Sequence, residues 1–111
     1  MPSEVRHLMF RTPELVLAMQ GYFRQLGRPL SSGLVAGCVV AGDGVSAPVT
    51  FHLRLHEDAG TSRASEVVVD SATLTAALIL HCRATRVPLP ARAQKSLQRM
   101  GEHVCLVAKL G

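Results

Sequence analysis

Aromatic residues are scarce in this chain of 111 residues, which has no Trp, one Tyr and three Phe. Proteins that bind single-stranded nucleic acid commonly stack bases on aromatic side chains, so the scarcity argues against that class. Charged residues make up 18% and hydrophobic residues 48% of the chain. This balance is far from that of disordered chains, so we expect a folded protein whose core is filled by Leu, Val, Ala and Met.

Familiar motifs of metal-dependent and covalent catalysis are absent as well. The sequence has no CxxC, no HExxH and no GxSxG. His52 and His56 are four residues apart on a predicted strand, a separation of about 13 Å that prevents both from binding one metal ion. Gly42-Asp43-Gly44 lacks the further glycine and the Lys of a phosphate loop, and predicts a hairpin turn. We therefore expect no metal and no cofactor.

Paired cysteines and long apolar segments are lacking too. The three cysteines, Cys38, Cys82 and Cys105, are odd in number and lie in apolar stretches, which is typical of buried thiols in a reducing compartment. The first ten residues lack the apolar core of a signal peptide, and no apolar run approaches the length that crosses a bilayer. We therefore predict a cytoplasmic protein with no membrane partner.

An internal similarity is the most informative feature that is present. Residues 10–30 align without a gap with residues 69–89, and both segments set a hydroxyl before an apolar run and close with Pro-Leu. The identical pairs are Leu15 and Leu74, Ala18 and Ala77, Arg24 and Arg83, Pro29 and Pro88, and Leu30 and Leu89. The match predicts two related helical units with the same start and the same end.

Each unit is predicted to contain one amphipathic helix. Thr12-Pro13-Glu14 combines a hydroxyl cap, a proline and an acid, as helix starts do, whereas Asp70 or Ser71 caps the second helix. Gly27 and Pro29 predict the end of the first helix, and Pro88 follows the second. The apolar stripes comprise Leu15, Ala18, Met19, Tyr22, Phe23 and Leu26 in the first helix, and Leu74, Ala77, Leu78, His81 and Cys82 in the second.

The remaining segments predict strands and one further helix. We expect strands over residues 5–11, 34–41, 49–56, 67–69 and 103–110, and a short third helix over 91–100. The mixed order favours an α+β fold with a single, mostly antiparallel sheet of about five strands, covered on one face by two main helices and the short third. We expect one domain, residues 1–111, with a pseudo-twofold relation between β-α-β units of approximately 5–41 and 65–110.

A basic segment is the first candidate binding site. The formal net charge is +4, and residues 83–99 hold five basic side chains and no acid: Arg83, Arg86, Arg92, Lys95 and Arg99. If residues 91–100 are helical, the last three share one face and can meet phosphates or an acidic protein surface. The alternative is a solvated helix face without a partner.

The polar side of the strand 49–56 is the second candidate. His52 and Arg54 lie there together with Thr50 and His56, opposite the apolar side chains of the strand. This face can bind a partner or a ligand, or it can be wetted by solvent.

Three hypotheses of function follow from these features. We favour a small non-catalytic interaction module, an adaptor or regulatory subunit, which self-associates as a homo-oligomer or binds a protein partner. The alternative is binding of nucleic acid or of a phosphorylated ligand through the basic segment, with His52 and Arg54 as auxiliaries. The third is a small enzyme that uses His81, His103 or Cys105, for which no third orienting group is visible.

Overall fold

The computed structural model describes residues 3–27, 35–56 and 64–110. The elements are β1 (Glu4–Phe10), α1 (Thr12–Gln25), β2 (Val35–Ala41), β3 (Thr50–His56), β4 (Ala64–Val69), α2 (Ser71–Ala84), β5 (Gln94–Met100) and β6 (His103–Leu110). In these ranges no helix combines the length and the apolar character that a bilayer crossing needs.

The strands form two separate antiparallel sheets of three strands each. One sheet has the order β1-β6-β5 and the other the order β2-β3-β4, and we name them the β6 sheet and the β3 sheet after their central strands. The predicted single sheet of about five strands is therefore wrong. The prediction failed in the pairing of the strands. The β5–β6 hairpin pairs with β1, and the β2–β3 hairpin pairs with β4. Alternation shows which side of a strand is apolar but does not show which strand lies beside it.

The order β-α-β-β occurs twice along the chain. Helices α1 and α2 each have 14 residues. Each of the two sheets contains the hairpin of one half and the first strand of the other half. The two halves are therefore interlocked, and separating them would remove an edge strand from each sheet.

The two main predicted helices are confirmed as α1 and α2. In α1 the buried side chains are Leu15, Ala18 and Met19, whereas Tyr22 and Phe23 are half-buried. Leu26, predicted to face inward, lies beyond the last helical residue and is 54% exposed, because the helix ends at Gln25.

The caps of the two helices differ. The Asp70 carboxylate accepts a hydrogen bond of 2.8 Å from the backbone N–H of Thr73, which confirms a side-chain cap for α2. Thr12 is not a cap as predicted, because it is already the first helical residue. Glu14 instead accepts from the backbone N–H of Arg11 at 3.4 Å. The predicted stop at Pro29 lies outside the described residues.

The predicted third helix is wrong, because Gln94–Met100 forms strand β5. Ala93 and Leu97 are buried, and a spacing of four residues places two side chains on one face of a strand as well as of a helix. Strand β5 pairs with β6 along its whole length, so the sheet satisfies its backbone groups and overrides the helical preference.

The core lies between the helices and the inner faces of both sheets. On β3, the side chains of Phe51, Leu53 and Leu55 are buried as predicted from their alternation, together with Val49 just before the strand. Val49, Phe51 and Leu53 pack in one cluster with the buried residues of α1 and α2 and with Val104 and Leu106 of β6. The opposite face of each sheet, which we call its outer face, carries no helix in the part of the chain that the structure describes.

The β2–β3 connection joins the two sheets. Gly42 and Gly44 have the predicted positive φ angles, 77° and 86°, but the connection spans residues 42–49 and is not the predicted tight turn. Gly44 lies against the backbone of β5 so closely that a side chain would overlap the carbonyl oxygen of Leu97. The backbone N–H of Arg99 donates to the Asp43 carbonyl at 3.3 Å. The outward edge of β5 is therefore partly covered by this connection.

Candidate functional site

The basic segment does not form the predicted helical face. Arg83 lies in the last turn of α2, and Arg92 lies in the turn before β5. Lys95 and Arg99 lie on β5 itself. Since they are four residues apart on a strand, their backbones are about 13 Å apart. The prediction that Arg92, Lys95 and Arg99 share a helix face is therefore wrong.

Local contacts occupy two of these cations. The Lys95 ammonium donates to the Ala93 carbonyl at 3.2 Å, and the Arg99 guanidinium contacts the Val40 carbonyl at 3.5 Å. Arg86 is exposed just after α2, at a positive φ of 60°. Phosphate binding by the segment stays a prediction, without the helical geometry that motivated it.

The second predicted pair, His52 and Arg54, lies on the outer face of the β3 sheet. Both alternate with the buried Phe51, Leu53 and Leu55, so their side chains point away from the core. The strand register places Val39 on one side of His52 and Val68 on the other. The side chain of His56 lies outside the described part of the structure.

A chain of hydrogen bonds holds the His52 imidazole on this face. Its Nε2 lies 3.1 Å from Thr50 Oγ1, and its Nδ1 lies 3.0 Å from Glu66 Oε1. With the proton on Nδ1, the ring donates to the carboxylate and accepts from the hydroxyl, so both ring nitrogens are satisfied. The ring is thereby held in a fixed orientation between the two exposed valines.

A small hollow adjoins this histidine. It has a volume of about 220 Å³, and Gly37, Arg54 and Glu66 line it together with His52. Gly37 is opposite Arg54 in the strand register, and its missing side chain opens the hollow beside the guanidinium. The alternation of the strand indicates His52 and Arg54 but not Glu66, because Glu66 belongs to another strand whose register no local pattern reveals.

The outer face of the β6 sheet is more apolar. Val5, Met9 and Met100 are about half exposed on its two edge strands. The register places them with Cys105 and Val107 on the side opposite Leu106. Cys105 and Val107 on the central strand are buried beneath their neighbours. This face therefore has an apolar centre and an apolar β1 edge, whereas on the β5 edge Met100 follows the polar Gln94, Ser96 and Gln98.

One cysteine and one histidine meet on that face. Cys105 Sγ lies 3.8 Å from His7 Nδ1, a contact between residues too far apart in the sequence for any motif to reveal. Burial raises the pKa of the Cys105 thiol, so the thiol stays protonated and is a poor nucleophile. His103 Nδ1 is buried and has no hydrogen-bond partner among the residues that the structure describes. The arrangement gives no support to nucleophilic catalysis by Cys105.

The other two thiols behave in the same way. Cys38, Cys82 and Cys105 are all free, and burial raises the pKa of Cys38 and of Cys82. In Cys38 the nearby Glu102 carboxylate raises the pKa further. Within residues 3–27, 35–56 and 64–110, no group of three or more His, Cys, Asp or Glu side chains is placed to hold a metal ion.

Comparison with known proteins adds no relative. No family model, no curated protein and no solved structure matches this chain.

Proposed function

We propose that this protein is a small interaction module that associates with a second copy of itself through the outer faces of its sheets. The observation that carries the proposal is the location of the exposed apolar side chains. Of the nine large hydrophobic residues that are exposed among the described residues, five lie on the outer faces: Val5, Met9, Val39, Val68 and Met100.

Exposed apolar side chains that cluster on one face usually mark an interface. Val39 and Val68 are 64% and 59% exposed, and they border the ordered His52. A polar group held by its own hydrogen bonds can enter an interface without losing partners, since the bonds to Thr50 and Glu66 persist after water leaves. The β3 sheet thus offers apolar contacts around a satisfied polar centre.

The available area sets the expected strength of association. Three strands spaced about 4.8 Å apart and about seven residues long, at about 3.4 Å per residue, give a face of about 340 Å². The two outer faces together offer about 700 Å², slightly below the roughly 800 Å² per partner of a stable interface. Since this sum is the most that the two faces can offer, a symmetric dimer formed through them is expected to be of micromolar rather than nanomolar affinity.

The cytoplasm is the compartment that this proposal assumes. Three free cysteines, none of them held in a disulfide, suit a reducing environment. In such an environment an adaptor or regulatory subunit can exchange between its monomer and its dimer without covalent constraint.

Sedimentation velocity between 1 and 300 μM tests the proposal (concentrations chosen to span roughly two decades around a micromolar Kd). The test variant is Val68→Lys, which places a charge on the outer face, and the matched control is Leu17→Lys. Leu17 is 58% exposed, nearly the same as Val68, but lies on α1. We expect the natural protein and Leu17→Lys to dimerise with rising concentration, and Val68→Lys to need at least about tenfold more protein.

A monomer at every concentration would contradict the proposal. Equal weakening by the two variants would contradict it as well, because the charge on the helix would then act as strongly as the charge on the sheet.

A further inference from the structure

A groove between the two helices is separate from the outer faces. It has a volume of about 320 Å³ and runs between the end of α1 and the middle of α2. Its aliphatic side chains are Leu26 of the α1 end and Ala76, Ile79 and Leu80 of α2. Leu26 is 54% exposed, so covering the groove would remove apolar surface from water.

The polar groups of the groove are few and carry one sign of charge. Arg83 lines it together with the Tyr22 and Gln25 side chains, and none of the acidic residues that the structure describes lines it. Among the described residues, the Glu4 carboxylate pairs with Arg6 and the Glu66 carboxylate hydrogen-bonds to His52, so neither of these carboxylates contacts Arg83. Two other carboxylates, Asp43 and Asp70, accept hydrogen bonds from their own turns.

The position of Arg83 near the end of α2 explains in part why a basic residue occurs there. An arginine in the last turn of a helix interacts favourably with the negative end of the helix dipole, and Arg24 occupies the same place on α1. Arg24, however, does not line the groove. Arg83 therefore differs from its counterpart by bordering an apolar groove, where a guanidinium can donate two hydrogen bonds to one carboxylate.

We propose that this groove binds a free, small amphipathic carboxylate, with its aliphatic chain over Leu26, Ile79 and Leu80 and its head group on Arg83. At about 30 Å³ per water-sized group, the groove holds roughly ten non-hydrogen atoms, which is the size of octanoate. Leu26 is 54% exposed, so the bound chain would be only partly enclosed, and we expect weak affinity, in the high-micromolar to millimolar range. The site lies on the helices and does not depend on self-association of the protein.

Titration with octanoate and with octan-1-ol, followed by amide chemical shifts of the full chain, tests the proposal. We expect octanoate to shift residues 22–26 and 76–83 first. Arg83→Gln should weaken octanoate by about tenfold, since it removes a charge-assisted hydrogen bond, and should leave octan-1-ol binding unchanged. The matched control, Arg24→Gln, should change neither.

A second pair of variants tests the location. Ala76 and Ala72 are both exposed on α2, but only Ala76 lines the groove, whereas Ala72 borders another hollow. Ala76→Phe should fill the groove and abolish binding of both ligands, and Ala72→Phe should preserve it. If Ala76→Phe does not fold, the shift map and the charge selectivity of the natural protein still decide.

Several results would overturn the proposal. Equal affinity for the acid and the alcohol in the natural protein would remove the role of Arg83. Chemical-shift changes confined to other residues, or no saturable change up to the solubility limit of octanoate, would show that the groove is not a binding site. Binding to anionic lipid vesicles without binding to monomeric octanoate would show a membrane surface contact in place of a ligand site.

Discussion

Replacing Gly44 by Ala should uncouple the β2–β3 connection from the β6 sheet. Gly44 has a φ of 86°, which costs a residue with a side chain about 1–2 kcal/mol. Its new Cβ would overlap the Leu97 carbonyl and lie 3.1 Å from the Gln98 Cα. Both obstacles are backbone atoms of β5, so the connection must move away.

The movement has a second cost. It would break the hydrogen bond from the Arg99 N–H to the Asp43 carbonyl, worth about 0.5–1.5 kcal/mol. The sum predicts that Gly44→Ala lowers the free energy of unfolding by about 1.5–3.5 kcal/mol, out of the roughly 5–15 kcal/mol that a domain of this size has.

Urea denaturation followed by circular dichroism measures this change. Gly101→Ala is the matched control, because Gly101 also has a positive φ, 65°, but a Cβ there would meet nothing within 4 Å. Gly101→Ala should lower the free energy of unfolding only by the cost of the positive φ angle, about 1–2 kcal/mol. Equal losses in the two variants would refute the contact between the connection and β5.

Three further predictions concern stability and reactivity. Gly21→Ala in α1, where a Cβ meets nothing within 4 Å, should raise the unfolding free energy by about 0.5–1 kcal/mol in urea; a loss would contradict the open helix surface. Phe51→Ala should lower it by about 3–5 kcal/mol, since Phe51 is fully buried, and a loss below about 1 kcal/mol would contradict that burial. Hydrogen bonds from Ser46 and neighbouring N–H groups hold the pKa of Asp43 well below its ordinary 3.8, so the stability that they add is present above about pH 4 and lost as the pH falls. Asp43→Ala should therefore be less stable than the natural protein at pH 7. A difference in unfolding free energy between the two proteins that did not narrow in acid would contradict this.

Local signals were sufficient for the two main helices and for the buried side of β3. The 3.6-residue period marked Leu74, Ala77 and Leu78 as buried, and all three are. Strict alternation likewise identified Phe51 and Leu53 as core residues. These signals succeed because each depends only on residues a few positions apart, which the secondary structure brings to one side.

The pairing of strands that are distant along the chain could not be predicted from local sequence patterns. Ala93 and Leu97 have a spacing that fits a helix face and a strand face equally well, so only the partner strand β6 decides in favour of β5. The same holds for Glu66 beside His52, which depends on the register of β4 against β3. The prediction of a basic helix face was wrong for this reason. The outer faces of the sheets could be identified only from the strand pairing in the structure.

Solvent paramagnetic relaxation of methyl groups, measured at rising protein concentration, tests association through the outer faces most directly. The methyls of Val39, Val68 and Met9 should lose their exposure to a soluble paramagnetic probe as the dimer forms, whereas those of Leu17 and Val45, which lie on α1 and in the β2–β3 connection, should keep theirs. Protection of Leu17 instead, or methyl exposure that does not change up to millimolar protein, would contradict the proposed interface.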